Sequence, residues 1–274
     1  MKNLIYLESY LDQSQRAQFI HYLEGLFPLW EQRFSKNNPP PKGESQRRLL
    51  RPVYWLGNWQ FACLNYYHPP KGIENRCVRA EPFPDFMQKV VSEIENMVKT
   101  EFAPHDIPHQ WHLNTCLINY YGSEIKENSS IDLARVGEHK DFEPGPVASI
   151  SFGEKALFQF VESLNRGREQ KSKVILQQWL ADSSLQVFGG DKFKKKLFHR
   201  VQRVEKKSDT VFKTNVQGFE TRRINLTFRY VPKEHIKSFE KLPEPLKEDT
   251  LEYIKKLAEH SLFFNNELSI DSKI

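Results

Sequence analysis

The sequence predicts an α+β protein with a mainly β core, folded as a two-sheet sandwich or jelly roll. From residue 115 onward, short apolar stretches alternate with turn residues such as Gly153 and Gly190. Strands of this length and spacing are typical of double-sheet β folds. Few helical patterns interrupt them, which argues against a parallel α/β sheet. The predicted strands cover residues 116–121, 147–152, 156–161, 173–180, 184–188, 197–204 and 222–231.

Helices are predicted on either side of this β region. Asp12 is a candidate N-cap for a helix over residues 13–27, in which apolar side chains recur every fourth position. A second helix opens at Pro84 and runs to about residue 101, because proline suits the first turn of a helix. A last helix is expected over residues 246–260, and residues 261–274 are predicted to be a tail.

The composition is that of a globular chain with a small excess of positive charge. The 274 residues carry 40 Lys and Arg against 35 Asp and Glu, and this net charge of +5 suits a polyanionic partner without requiring one. Cys63, Cys77 and Cys116 form no disulfide or zinc spacing, which favours a reducing compartment. We find no signal peptide and no apolar run near the ~20 residues of a membrane span. We expect an intracellular protein, cytoplasmic or, in a eukaryote, nuclear, with no membrane partner.

The first chemical signal is His139-Lys-Asp141. Two side chains one residue apart on a strand point to the same side, so an imidazole and a carboxylate can take adjacent positions on a metal. His199 is the best candidate for a third ligand. Two His and one carboxylate leave three coordination sites open, as in non-haem Fe(II) oxygenases. Taken alone the pair is a weak signal, because most such pairs are surface polar residues.

The second signal is the last predicted strand. A period of two places Arg223, Asn225, Thr227 and Arg229 on one face, and apolar residues on the other. The apolar face belongs to the core. The polar face either meets water or holds a small dicarboxylate, for which arginine is the suited partner.

Five segments of the chain, taken together, resemble the AlkB family of Fe(II)/2-oxoglutarate-dependent dioxygenases. In chain order they are Asn119-Tyr-Tyr121, His139-Lys-Asp141, Ser149-Ile-Ser-Phe-Gly153 with Phe158-Gln-Phe160, Phe198-His-Arg-Val-Gln202 and Arg223-Ile-Asn-Leu-Thr-Phe-Arg229. The similarity covers about residues 45–232. It implies a double-stranded β-helix (jelly roll) domain over residues 1–232, with helices and a substrate lid in 1–114, the core in 115–232 and a helical appendage in 233–274.

The resemblance also implies roles for single residues. His139, Asp141 and His199 would bind iron and form the catalytic centre. Arg229 would pair with the 2-oxoglutarate carboxylate that chelates the metal, and Arg223 with the distal carboxylate. Of the remaining positions, Tyr121 would assist Arg223, Asn119 and Asn225 would hydrogen-bond around the cosubstrate, and Glu143 would lie near the substrate base unless it is a solvated loop charge.

Substrate contacts are expected from two further stretches. Residues 47–80 match the family poorly, so the aromatic that stacks on a flipped base is open among Trp59, Tyr66 and Tyr67. For any one of them, a place in a short strand that feeds the core is the simpler interpretation. Residues 192–207 hold eight Lys and Arg against one Glu, a net charge of 8 − 1 = +7. We expect Lys194, Lys195 and Lys196 in this run to contact phosphates, unless the run is a solvated loop.

The function that the resemblance implies is oxidative dealkylation of N-alkylated bases in DNA or RNA, a nucleic-acid alkylation repair activity. It would use Fe(II), 2-oxoglutarate and O2, release formaldehyde, succinate and CO2, and be carried out by a monomer. Two alternatives stay open: the same chemistry on a protein side chain or a small molecule, and a noncatalytic nucleic-acid-binding module.

Overall fold

The computed structural model describes residues 2–32, 48–60, 77–166, 169–204 and 206–271, together with positions 34, 36, 39, 40, 42, 43 and 45. Two antiparallel sheets form a jelly roll, as predicted. The main sheet contains, in spatial order, β1 (Leu4–Leu7), β11 (Ser184–Phe188), β8 (Val147–Gly153), β13 (Phe219–Arg229), β5 (Thr115–Lys126) and β2 (Val53–Leu56), with β6 (Ser129–Asp132) paired to β5.

The second sheet has four strands and faces the inner side of the main sheet. Its spatial order is β10 (Glu169–Leu180), β9 (Ala156–Arg166), β12 (Phe198–Gln202) and β7 (Val136–His139). A small third sheet consists of β14 (Ile236–Lys237), β4 (Cys77–Arg79) and β3 (Asn58–Gln60).

Alternation along β13 decides what lies between the two large sheets. Ile224 and Leu226 are fully buried on the outer face, where they join the large apolar cluster that includes the helices. Arg223, Asn225 and Arg229 occupy the other face and are only 3–6% exposed. The interpretation in which this polar row faces water was therefore wrong. The row lines the inside of the jelly roll.

Two helices cover the outer face of the main sheet. Helix α1 (Gln13–Gly25) begins with a capping box, in which Asp12 accepts from the backbone N–H of Gln15 and the Gln15 side chain accepts from that of Asp12. Helix α2 (Asp85–Glu101) follows Pro84 and buries an apolar stripe that includes Val91 and Ile94.

The C-terminal segment packs onto the same apolar cluster. Helix α3 (Glu244–Ala258) contributes Ile254 and Leu257. The predicted tail is wrong over most of its length, because α4 (Leu262–Asp271) is helical and buries Phe264 at 1% exposure. Its apolar residues do not fall on one helical face, so the sequence pattern was too weak to predict it.

Every strand predicted from the sequence is present, most with longer ends. The strands that the sequence analysis did not predict include β1, β6 and β7, which are four residues each. β6 and β7 have few apolar residues, whereas β1 is apolar but too short to give a pattern, and each of the three pairs with a longer neighbour. Among the described residues, no helix is long and apolar enough to cross a membrane.

Candidate active site

Three side chains with metal-ligand chemistry meet at the edge of the second sheet. His139 ends β7, and His199 lies opposite it on β12. One ligand atom each from His139, Asp141 and His199 lies within 4.8 Å of the others. The expectation that His139 and Asp141 share a strand was wrong, because β7 ends at His139 and Asp141 comes from the following loop. The set still has the composition of a two-His-one-carboxylate metal site.

The two imidazoles are held by different means. Nδ1 of His139 lies 2.8 Å from the carbonyl oxygen of Gly137. When Nδ1–H donates to that oxygen, the Nε2 lone pair is left for a metal. The His199 ring is packed among aromatics, stacked on Phe158 with ring centroids 5.4 Å apart and in edge contact with Phe188. Both rings are therefore oriented before any ligand binds.

The charge states of the three residues suit a cation. Burial lowers the pKa of His139, and burial together with the neighbouring His139 lowers that of His199 well below its usual value. Both rings are thus neutral near pH 7, which is the metal-binding form. Burial alone would raise the pKa of Asp141, but the Arg229 guanidinium together with His199, Lys194 and His139 outweighs burial and holds this pKa below its ordinary range.

Arg229 connects the two sheets through the site. From β13, its Nε and Nη2 donate to Oδ1 of Asp141 at 2.9 and 2.8 Å. Its Nε also lies 3.6 Å from Oε1 of Glu143, which is only 1% exposed. Glu143 is therefore part of the buried site, and the interpretation of it as a solvated loop charge was wrong. The placement of Glu143 is compatible with its predicted position near a substrate base.

Lys194 belongs to the same cluster, which corrects a prediction. A single π-helical turn, Lys192–Lys196, directs it inward. Its Nζ is buried without a hydrogen-bond partner among the described residues, close enough to Asp141 and Glu143 for their charges to act on its pKa. Burial dominates and lowers that pKa. Lys194 cannot contact a phosphate on the surface from this position.

The other end of the interior holds a second cationic group. Arg223 donates from Nη2 to Oγ of Ser151 at 3.1 Å, and its guanidinium carbon lies 4.8 Å from the centre of the Tyr121 ring. Nε and Nη1 of Arg223 are buried and, among the described residues, have no hydrogen-bond partner. Burial lowers the pKa of this guanidinium. Two unsatisfied N–H donors in one buried fork are suited to a carboxylate.

The two predicted asparagines lie between these ends, opposite each other in the β5–β13 ladder. Oδ1 of Asn119 accepts from Nε of Arg51 at 2.6 Å. Nδ2 of Asn225 donates to Oγ of Ser149 at 2.9 Å and to the carbonyl oxygen of Ile150 at 3.1 Å. Both side chains are positioned by these bonds in the interior.

Two interior residues were missed by the sequence analysis. Arg51 lies 5.3 Å from the Tyr121 ring centre, on which Arg223 also packs, and its only sequence signal was a stretch rich in aromatic and basic residues. Gln186 on β11 is 1% exposed, and neither atom of its amide has a hydrogen-bond partner among the described residues. Its alternation with Leu185 and Val187 was the available signal.

The predicted base-stacking residues are not gathered at the site. Trp59 is 1% exposed, donates from its indole to Oε1 of Glu31 at 2.7 Å, and packs edge-on against Phe264. A ring enclosed in this way cannot stack on a base, so that prediction was wrong. Tyr66 and Tyr67 lie outside the described residues.

The basic run 192–207 is divided by the fold. Lys195 pairs with Asp191 at 2.7 Å, and Arg200 pairs with Glu138 at 2.7 Å on the second sheet. Lys196 is exposed, whereas Lys194 points inward. The run therefore does not form the continuous phosphate-binding band that the sequence suggested.

Comparisons with known proteins were made once this geometry was established. A family model described as "2OG-Fe(II) oxygenase superfamily" matches residues 3–229, which include the three clustered metal-ligand residues. No curated protein matches the sequence.

Solved structures with a similar chain path include OsALKBH1, at 18% identity and a TM-score of 0.47, over 84% of this chain and 99% of that one. Another is the non-haem α-ketoglutarate-dependent epimerase SnoN from nogalamycin biosynthesis, at 8% identity and a TM-score of 0.40, over 83% and 78%. A third is the ribosomal oxygenase YcfD from Escherichia coli, at 13% identity and a TM-score of 0.28, over 66% and 46%.

Proposed function

Because this chain belongs to the 2OG-Fe(II) oxygenase superfamily and therefore uses Fe(II), 2-oxoglutarate and O2, we propose that it oxidatively dealkylates N-alkylated bases in nucleic acid. In this proposal His139, Asp141 and His199 hold the iron. The donor set fits this ion, because two neutral imidazoles and one ionised carboxylate are the ligands of the facial triad. Their orientation by Gly137, Phe158 and Arg229 is the support that such ligands need.

2-Oxoglutarate would lie between the two cationic ends of the interior. The buried donors Nε and Nη1 of Arg223 would take the distal carboxylate, with Tyr121 packed beside it. Asn119 and Asn225 line the path between the ends. Arg229 stands at the metal end, where its guanidinium neutralises Asp141 and where the chelating carboxylate of the cosubstrate would bind.

Bound iron and 2-oxoglutarate would supply the oxidising chemistry, in which one oxygen atom of O2 enters the cosubstrate to give succinate and CO2, and the other enters the substrate's C–H bond. The hydroxylated N-alkyl group is then lost as formaldehyde. The protein's own residues bind, orient and exclude water. No protein nucleophile is needed.

The observation that carries the choice of a nucleic acid base is the presence of the buried Glu143 carboxylate and the buried Nζ of Lys194 beside the metal ligands. A carboxylate accepts hydrogen bonds and an ammonium donates them, so the two offer both kinds of partner to the edge of a flipped base. A purely apolar substrate would leave the buried Lys194 ammonium without a hydrogen-bond partner among the described residues, which is costly.

The test is turnover of a defined panel. Purified protein with Fe(II), 2-oxoglutarate and ascorbate is incubated with DNA and RNA oligonucleotides that each carry one N-methylated base, and mass spectrometry follows loss of the methyl group. We expect turnover of at least one oligonucleotide with stoichiometric succinate. Succinate formation that no oligonucleotide stimulates would overturn the nucleic acid proposal and direct the search to proteins and small molecules.

A further inference from the structure

A surface groove of about 680 Å³ opens on the jelly roll, and none of the three metal-ligand residues lines it. It is bounded by the β8–β9 turn, the end of β10 and the loop after β12. It adjoins a small cavity lined by Tyr121 and Arg223. The side chains that matter in it are Lys155, Trp179, Arg203, Lys206 and Lys207.

The floor of the groove is fixed by a buried ion pair. Glu154 accepts at Oε2 from Nε of Arg222 at 3.0 Å and from the backbone N–H of Ser208 at 2.8 Å. Both partners of the Arg222–Glu154 pair are buried. Arg222 therefore neutralises Glu154. The hydrogen bond from Ser208 attaches the loop that carries Arg203, Lys206 and Lys207 to the sheet.

Three cations in the groove remain available. Lys207 pairs with Asp132. Lys155, Arg203 and Lys206 are exposed, and none of the three forms an ion pair or hydrogen bond within the part of the chain that the structure describes. Unpaired cations gathered on one surface attract a polyanion.

Trp179 adds an aromatic surface to these charges. It is 48% exposed, although tryptophan is usually well buried. Within the described part of the chain, its strand, β10, lies at the edge of the second sheet and pairs with β9 alone. An indole beside unpaired cations is the combination that single-stranded nucleic acid binds, since bases stack on the ring while phosphates meet the cations.

We propose that this groove binds a single-stranded segment of nucleic acid, with a base stacked on Trp179 and phosphates held by Lys155, Arg203 and Lys206. The inference rests on the proposed function for its biological setting. Because the groove lies beside Arg223, an alternative occupant is the dicarboxylate cosubstrate on its way to the interior. The size of the groove and its exposed indole favour the nucleic acid, because a small dicarboxylate has no need of a stacking surface.

The experiment measures binding of a fluorescein-labelled oligodeoxythymidine of about 16 nucleotides, a length that covers one binding site. Anisotropy gives the Kd at several salt concentrations for the wild type, Trp179→Ala, Trp179→Phe and the double variant Lys155→Ala/Lys206→Ala. The matched control is Lys89→Ala/Lys99→Ala, which removes two exposed lysines from helix α2. The KM for 2-oxoglutarate is measured for each protein.

We expect Trp179→Ala to bind roughly 5- to 150-fold more weakly, the range of one stacked base, and Trp179→Phe to recover most of the affinity. The groove double variant should lower the salt slope by about 0.7 per lost phosphate contact, while the α2 control matches the wild type. Three results would each overturn the inference. They are groove variants that bind the oligonucleotide as the wild type does, no detectable binding by the wild type, and a raised KM for 2-oxoglutarate with unchanged oligonucleotide affinity. Binding that depends on Trp179 without any dealkylation would uphold the groove and refute the proposed reaction.

Discussion

Arg229 donates two hydrogen bonds to a single oxygen of Asp141, from Nε at 2.9 Å and from Nη2 at 2.8 Å. Arg229 lies on β13 of the main sheet and Asp141 in the loop that follows β7 of the second sheet, so the contact joins the two sides of the jelly roll at the metal end. A guanidinium is the suited partner here because its fork is planar and always charged. Arg229 thereby helps to keep Asp141 ionised and oriented, and it does so whether or not a cosubstrate is bound.

The first prediction concerns that contact. Arg229→Lys should weaken Fe(II) binding by roughly 10- to 100-fold, as is usual when the partner of a metal ligand is lost, because an ammonium cannot donate the two parallel bonds. Anaerobic calorimetric titration with Fe(II) measures it. Arg135→Lys, at an exposed position, is the control. Iron affinity equal to that of the wild type in Arg229→Lys would show that Asp141 does not depend on this guanidinium.

A second prediction separates two adjacent arginines. Arg223→Ala should reduce 2-oxoglutarate affinity while leaving iron binding nearly unchanged, because its unsatisfied donors are those we assign to the distal carboxylate. Arg222 instead pairs with Glu154, and Arg222→Ala should lower the free energy of unfolding by about 3 to 5 kcal/mol, the cost of breaking a buried pair. Calorimetry and urea denaturation distinguish the two. A larger loss of cosubstrate affinity in folded Arg222→Ala than in Arg223→Ala would contradict the assignment.

The third prediction uses neighbouring lysines with opposite environments. Lys194→Met should reduce turnover of a methylated oligonucleotide by roughly 10-fold or more, the value of one hydrogen bond to a charged group. The variant should fold at least as stably as the wild type, because burial already disfavours the ammonium. Lys195→Met, which removes only the surface pair with Asp191, is the matched control. Equal turnover in the two variants would remove Lys194 from the site.

A fourth prediction concerns the pH dependence of stability. Burial raises the pKa of Glu31 from 4.5 to about 7, and the indoles of Trp59 and Trp55 only partly offset it. Between these values the folded protein retains a proton that the unfolded chain has lost, so Glu31 lowers stability as pH rises from about 4.5 to 7. The full effect is up to about 3 kcal/mol above pH 7.

Glu31→Gln tests this directly, because its amide oxygen can still accept from both indoles. The free energy of unfolding of the variant minus that of the wild type, measured by urea denaturation, should be more positive at pH 8 than at pH 5. Glu8→Gln, an exposed substitution, serves as the control. A stability difference that is the same at both pH values would mean that Glu31 is ionised throughout.

The sequence predicted the parts of the site that depend on period and spacing. The inner row Arg223, Asn225 and Arg229 follows from alternation along a single long strand. His199 could be paired with His139 because short motifs in a fixed order define the strands that carry them. These features are local, or repeat with the strand period, and a single sequence records them.

Features that depend on local irregularity or distant partners could not be predicted. Lys194 faces inward because one π-helical turn shifts the basic run out of register, and no composition signal marks that turn. Trp59 is in the core because Glu31, 28 residues away, accepts its indole N–H. Arg51 lies in the interior beside Asn119, which accepts from its Nε, and beside the Tyr121 ring. Each is a tertiary contact between residues with ambiguous local patterns.

The most direct measurement of the central claim is succinate and demethylated oligonucleotide formed by the wild type and by His139→Ala, Asp141→Ala and His199→Ala, with circular dichroism to establish that each variant is folded. The control is Lys126→Ala, at an exposed position at the end of β5. We predict that the control forms as much of each product as the wild type does. Each of the three ligand variants should form neither product. Full activity in any one folded ligand variant, or succinate without demethylation in the wild type, would contradict the account.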